Sequence, residues 1–136
     1  MKKKHLDMYM RIVDAVAQTS EAERLKVGSI AVKDGKILAE AYNGTPRNWP
    51  TNLCEGEDGK TKSVVTHSED NLIRKLARST ESSVGATVMC SHACCLPCAI
   101  KLVDVGISKF YYKDDYRTDE GLEYLKTNGV EVVKYE

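Results

Sequence analysis

His67-Ser68-Glu69, followed after a gap by Cys95-Leu96-Pro97-Cys98, decides how this chain is read. Downstream of His67, Leu72, Ile73 and Leu76 recur at helical spacing, which predicts a helix over 67–78. A second helix is predicted from about 95 to 105, with Gly106 as its stop signal. Between them the short apolar run 86–90 reads as an inner strand. Working outward toward the C-terminus, 107–112 reads as a strand, 113–118 as a loop, 119–128 as a helix closed by Gly129, and 130–133 as a last strand. Toward the N-terminus, Val27–Val32 and Ile37–Tyr42 read as strands joined by Lys33-Asp34-Gly35-Lys36, whose Asp-Gly pair tolerates the positive φ of a tight hairpin. Before them, Leu6, Tyr9, Met10, Val13, Val16 and Ala17 mark an amphipathic helix from His5 to about Ser20. Alternating helices and strands imply a sheet layered with helices and at least partly parallel. The stretch 43–63, rich in Gly, Pro, Asn and charge, is long for a plain connection, and loops of that length are often functional.

At 136 residues with 42% hydrophobic content, the chain suits a single domain over 1–136. No apolar run approaches a membrane span. The basic start Met1-Lys2-Lys3-Lys4 is not followed by an apolar signal core, so a cytoplasmic protein is expected, with no membrane partner. Twenty cationic and twenty anionic residues cancel, which argues against nucleic acid as the main partner while leaving room for a small phosphate-bearing ligand. Four of the five cysteines fall between Cys90 and Cys98, a clustering that favours metal binding over disulfides.

One imidazole and two thiolates, from His67, Cys95 and Cys98, make a three-ligand zinc site. Three protein ligands leave a fourth position for water, which distinguishes catalytic from closed structural zinc. The order H-x-E then C-x-x-C is the signature of zinc-dependent deaminases. Zinc lowers the pKa of water to about 7, and Glu69, which need not bind the metal, is placed to carry protons between that water and a substrate. Cys95 and Cys98, at i and i+3, share one side of a helix whose N-terminus favours thiolate. Two helix starts then converge at the carboxyl ends of the strands, where open α/β sheets commonly bind ligands. The competing reading is a closed structural site, with His92, Cys90 or Cys94 as fourth ligand.

Further segments widen the pattern: Lys26-Val27-Gly28, Lys33-Asp34-Gly35-Lys36 and Tyr42-Asn43-Gly44-Thr45-Pro46. With them the chain resembles the deoxycytidylate deaminase family over nearly its whole length, from the first helix to Gly129-Val130-Glu131-Val132. The resemblance implies a three-layer α/β/α cytidine-deaminase fold around a central mixed five-stranded sheet. It implies conversion of dCMP to dUMP, feeding thymidylate synthesis, in a homo-oligomer that is commonly a hexamer, activated by dCTP with Mg2+ and inhibited by dTTP. It makes His67, Cys95 and Cys98 the ligands of Zn2+ and Glu69 the proton shuttle. Asn43 would contact the sugar or the ring, unless it serves only as a turn residue. Arg24 and Lys26 would hold the 5′-phosphate, unless they are simply solvated charges, and Tyr116 and Arg117 would close over the nucleotide, unless they form an ordinary surface loop. Arg47, Asn48 and Trp49 fall where regulated relatives bind the effector, although Trp49 packed under its own loop is the preferred reading. Glu55, Glu57 and Asp58 are read as a solvated acidic loop in preference to an effector-magnesium site.

The chain also departs from the family. Cys94 stands where the family has proline, and Pro97 lies inside the cysteine pair. Cys94 and Cys98 are also one helical turn apart, so Cys94 competes with Cys95 as ligand, with Cys95 preferred. Ser68 replaces the usual alanine between histidine and glutamate. Cys54 is read as a buried or idle thiol in preference to a second zinc ligand with His92.

Overall fold

The computed structural model describes residues 1–136. The first helix, α1 (Lys3–Gln18), buries Tyr9, Met10, Val13 and Ala17, the stripe expected from the period of its apolar residues. It lies alone on one face of the sheet, packed on Ile30 and Val32 of β1 (Gly28–Lys33), Met89 of β3 (Thr87–His92) and Tyr111 of β4 (Lys109–Asp114). β1 turns into β2 (Lys36–Tyr42) through Asp34 and Gly35, both in the left-handed region at φ 51° and 73°.

Alternation along the strands sends Ala31, Val88, Cys90, Phe110 and Tyr112 to the opposite face. There they meet Leu72 and Leu76 of α2 (Ser68–Ala77), Ala99 and Leu102 of α3 (Leu96–Asp104), and Leu122 and Leu125 of α4 (Glu120–Thr127). The sheet order is β2-β1-β3-β4-β5, with β5 at Glu131–Lys134. β1 pairs antiparallel with both β2 and β3, while β3, β4 and β5 run parallel. Each parallel step needs a crossover, which α3 and α4 supply. The architecture is the mixed five-stranded α/β/α arrangement that the resemblance implies.

All nine predicted elements form. Two strands run further than their apolar residues indicate: β3 continues to His92 and β4 to Asp114, and these two residues are paired in register. Backbone pairing outlasts the hydrophobic run because the ladder depends on N–H and C=O groups, not on side-chain polarity. The long loop after β2 also has structure. Bridges Gly44↔Thr66 and Glu55↔Thr61 fold it back on itself, so that Thr66 returns beside the end of β2 and delivers His67 there.

Gly121 joins α4 to the same region. A Cβ on Gly121 would lie 2.2 Å from the Cys94 carbonyl oxygen and 2.9 Å from the Cys95 carbonyl carbon, so α4 rests directly on the backbone that presents Cys95. Gly121→Ala is expected to cost about 2 kcal/mol of stability by overpacking and to lower bound metal per chain. Thermal denaturation and elemental analysis of the purified variant check both.

Candidate active site

His67 and Cys95 are the N-cap residues of α2 and α3, each with extended backbone and neither capping its helix through its side chain. Their side chains are therefore free to point at each other across the sheet end. Cys95 Sγ lies 3.3 Å and Cys98 Sγ 3.6 Å from His67 Nδ1, and the three ligand atoms all fall within 4.8 Å of one another. Pro97 sits in the first turn of α3, where an N–H would have no helical partner, so its place inside the cysteine pair costs the helix nothing.

Hydrogen bonding from Cys98, helped by His67, pulls the Cys95 thiol down to about 4, while the same partnership and burial push Cys98 up. The thiolate is thereby favoured at Cys95, facing the imidazole nitrogen, over Cys98. One nitrogen and two sulfurs at this spacing suit a zinc ion. Cys94, by contrast, is fully buried in the core, and burial holds its thiol well above the ordinary value. The structure brings Cys95, not Cys94, to His67.

None of the candidates for a fourth ligand joins the cluster, which holds His67, Cys95 and Cys98 alone. Cys90 turns to Glu69, and its sulfur lies 3.1 Å from Oε1. His92 Nδ1 lies 2.9 Å from Ser91 Oγ, which also accepts the Gly28 N–H, and His92 Nε2 is 3.8 Å from Asp114. Burial lowers the His92 pKa, so the ring is neutral near pH 7. Cys54 is buried and its thiol faces the Asn52 carbonyl, so no second cluster forms with His92.

A cavity of about 500 Å³ opens beside the cluster, lined by His67 and Cys95 of its three residues. Glu69 lines it while remaining only 4% exposed. Burial raises its carboxyl pKa, against the opposing hydrogen bond from Cys90 and the charge of His67. One wall comes from Arg24, Leu25 and Val27, and another from Tyr116 and Arg117, whose guanidinium carbon stands 5.3 Å from the Tyr116 ring centroid.

Asn43 also lines the cavity and holds the Leu25–Val27 segment in place. Its Oδ1 accepts the Val27 N–H at 2.9 Å, its Nδ2 donates to the Leu25 carbonyl at 2.8 Å, and both leave capacity for a further partner. Lys26 does not reach the cavity; its ammonium donates to the Ser20 carbonyl. Arg47, Asn48 and Trp49 also lie outside it.

Two sequence readings are corrected here. Trp49 does not pack under its loop; it is 47% exposed, on a turn where Asn48 takes a left-handed φ of 65°. Glu55 is not merely solvated: its carboxylate accepts the N–H groups of Glu23 (3.1 Å) and Arg24 (3.4 Å) and so pins the Arg24 wall. Asp58 likewise accepts the Lys60 N–H within its own turn. Sequence reasoning missed the buried Ser68–Ser29 hydroxyl pair at 2.6 Å and the cavity position of His92. The Ser68 departure signalled the first. Nothing but proximity to the cysteines signalled the second.

A profile of the cytidine and deoxycytidylate deaminase zinc-binding region matches residues 3–114. The crystal structure of dCMP deaminase from the cyanophage S-TIM5, in complex with dCMP and dUMP, superposes with a TM-score of 0.97 at 41% identity, covering 99% of both chains. The deoxycytidylate deaminase of Saccharomyces cerevisiae is 31% identical over 93% of this chain, and that of Mycobacterium phage D29 is 29% identical over 78% of this chain and 91% of its own length. The chain belongs to the cytidine and deoxycytidylate deaminase family. It spans 43% and 42% of the S. cerevisiae and Schizosaccharomyces pombe relatives, less than half of either.

Two outcomes separate the neighbouring cysteines. Cys95→Ala is expected to abolish stoichiometric zinc, whereas Cys94→Ala keeps the metal and loses on the order of 1 kcal/mol of stability from the core. Inductively coupled plasma analysis and denaturant melts read the two effects. In metal-free protein, a Cys95 pKa of about 4 keeps the thiolate populated across neutral pH. Iodoacetamide labelling of Cys95 should therefore be nearly flat from about pH 6 to 8 and fall toward pH 4, where an ordinary thiol would already have been silent.

Proposed function

We propose that the protein is a zinc-dependent deaminase that converts dCMP to dUMP and ammonia. The observation that carries this reading is the three-ligand cluster at the wall of a cavity of about 500 Å³, which His67 and Cys95 line together with the buried carboxyl group of Glu69. That volume lies within the range of small-molecule sites. His67, Cys95 and Cys98 would hold zinc, which when bound supplies Lewis acidity and a water of pKa about 7. Glu69 takes a proton from the water that attacks C4 and delivers it to N3 of the cytosine ring, then carries the remaining hydroxyl proton to the C4 amine, so that the C4–N bond breaks, ammonia leaves and the C4 carbonyl forms. A carboxyl whose pKa is raised by burial suits both halves of that transfer.

The walls suit a nucleoside monophosphate. Arg24 and Arg117 supply charge for the 5′-phosphate, Tyr116 a stacking face, and Asn43 one free N–H and one free lone pair for sugar or ring. The Lys26 ammonium is held away from the cavity, so Arg24 is the stronger phosphate candidate of the two. Balanced charge disfavours an extended nucleic-acid substrate. A closed structural zinc has no fourth ligand to complete it.

The proposal extends to assembly and control on the strength of the family resemblance: a cytoplasmic homohexamer, activated by dCTP with Mg2+ and inhibited by dTTP. Arg47, Asn48 and the exposed Trp49, outside the main cavity, are the candidate effector contacts. Hyperbolic kinetics indifferent to both triphosphates, in a protein that scatters light as a monomer, would remove this extension without touching the chemistry.

Purified protein should release ammonia from dCMP in preference to dCTP, cytidine or a single-stranded oligonucleotide; preference for the oligonucleotide overturns the substrate assignment. Glu69→Gln should keep zinc and lose turnover by about 10²- to 10⁴-fold. Arg117→Ala should raise KM for dCMP by about tenfold and leave KM for deoxycytidine unchanged, which isolates the phosphate contact.

A further inference from the structure

The catalytic scheme above leaves one buried group beside the reacting carboxyl unaccounted for. Cys90 is wholly inaccessible and absent from the cavity wall, yet its sulfur lies 3.1 Å from Glu69 Oε1. A carboxylate that is 4% exposed needs a donor, because a buried charge without a hydrogen-bond partner is costly. Cys90 is the side chain that meets hydrogen-bonding geometry with it. Cys98 also bears on the Glu69 carboxyl, but its sulfur belongs to the ligand cluster. Position reinforces the contact: Cys90 lies mid-strand in β3, paired with Ser29 on one side and Tyr112 on the other, so its sulfur is fixed by two ladders. Burial keeps the thiol protonated, and its hydrogen is available to Oε1.

We infer that Cys90 is a positioning residue, whose S–H fixes Glu69 Oε1 and so turns Oε2 toward the substrate cavity to carry the proton. It touches neither substrate nor metal and acts only through Glu69. The inference rests on the deaminase reading and adds to it the group that orients the proton carrier.

A near-isosteric pair tests it. Cys90→Val and Cys90→Thr are both β-branched and suit a strand, but only threonine keeps a hydrogen that Oε1 can accept. Steady-state dCMP turnover and zinc content are measured for both variants alongside the parent. The expected result is a kcat about tenfold lower for Cys90→Val, within about threefold of the parent for Cys90→Thr, with KM and zinc per chain unchanged in each. Cys90→Ser, smaller but still a donor, should retain turnover as threonine does and replaces it if the β-branched pair crowds the core. Parental kcat in Cys90→Val overturns the inference, and so do equal losses in valine, threonine and serine variants, which would mark a packing role. A parent that does not deaminate dCMP fails the functional reading instead, so the two failures are told apart in one assay.

Discussion

Cys95 Sγ comes within 3.3 Å of a histidine nitrogen from a separate helix because both residues are helix N-caps at the same end of one sheet. The rest of the molecule serves that meeting. β1 and β3 are adjacent and antiparallel, so the loop returning from β2 and the chain leaving β3 arrive side by side. The Gly44↔Thr66 bridge sets where α2 begins, and Gly121 lets α4 rest against the backbone at Cys94 and Cys95. Helix N-termini favour anionic groups, so two of them meeting at one point suit thiolates and a carboxylate.

The electrostatics follow from this placement. A Glu69 carboxylate or a Cys95 thiolate would be expensive to bury alone, whereas the neutral thiols of Cys90 and Cys98 bury readily. Together they form a connected set: Cys90 meets Glu69, Cys95 and Cys98 meet His67 and one another, and Cys98 also bears on Glu69. No buried polar side-chain atom lacks a partner. The same connectivity sets the acid–base character of the site, raising the Glu69 pKa through burial and lowering that of Cys95 through its hydrogen bonds.

Much of this was legible in the residues. Apolar periodicity separates helices from strands because the core lies between layers, and each element has one wet and one dry side, as Leu72 and Leu76 of α2 illustrate. The zinc motif was legible because its residue types have few other reasons to occur in that order. What stayed hidden depends on where a chain turns back in space. The sequence already favours Cys95 over Cys94 as the partner of Cys98, but the reason is spatial: α3 starts at Leu96, Cys94 lies in the core and Cys95 faces His67. Glu55 looks like a surface acid until its loop folds onto the Glu23 and Arg24 amides. Lys26 is adjacent in sequence to the cavity-lining Leu25 and Val27, but its ammonium donates to the Ser20 carbonyl, a contact that depends on how the chain turns before β1. Trp49 has a hydrophobic side chain yet is 47% exposed, next to the left-handed Asn48.

Zinc K-edge X-ray absorption on the zinc-loaded protein tests the central claim most directly. Two sulfurs at about 2.3 Å, one imidazole nitrogen at about 2.0–2.1 Å and one further light atom, the last altered by adding dUMP, are the result this account predicts. Three or more sulfurs, or a first shell indifferent to the nucleotide, would mean that the fourth position is closed and that the cavity beside Glu69 is not where chemistry occurs.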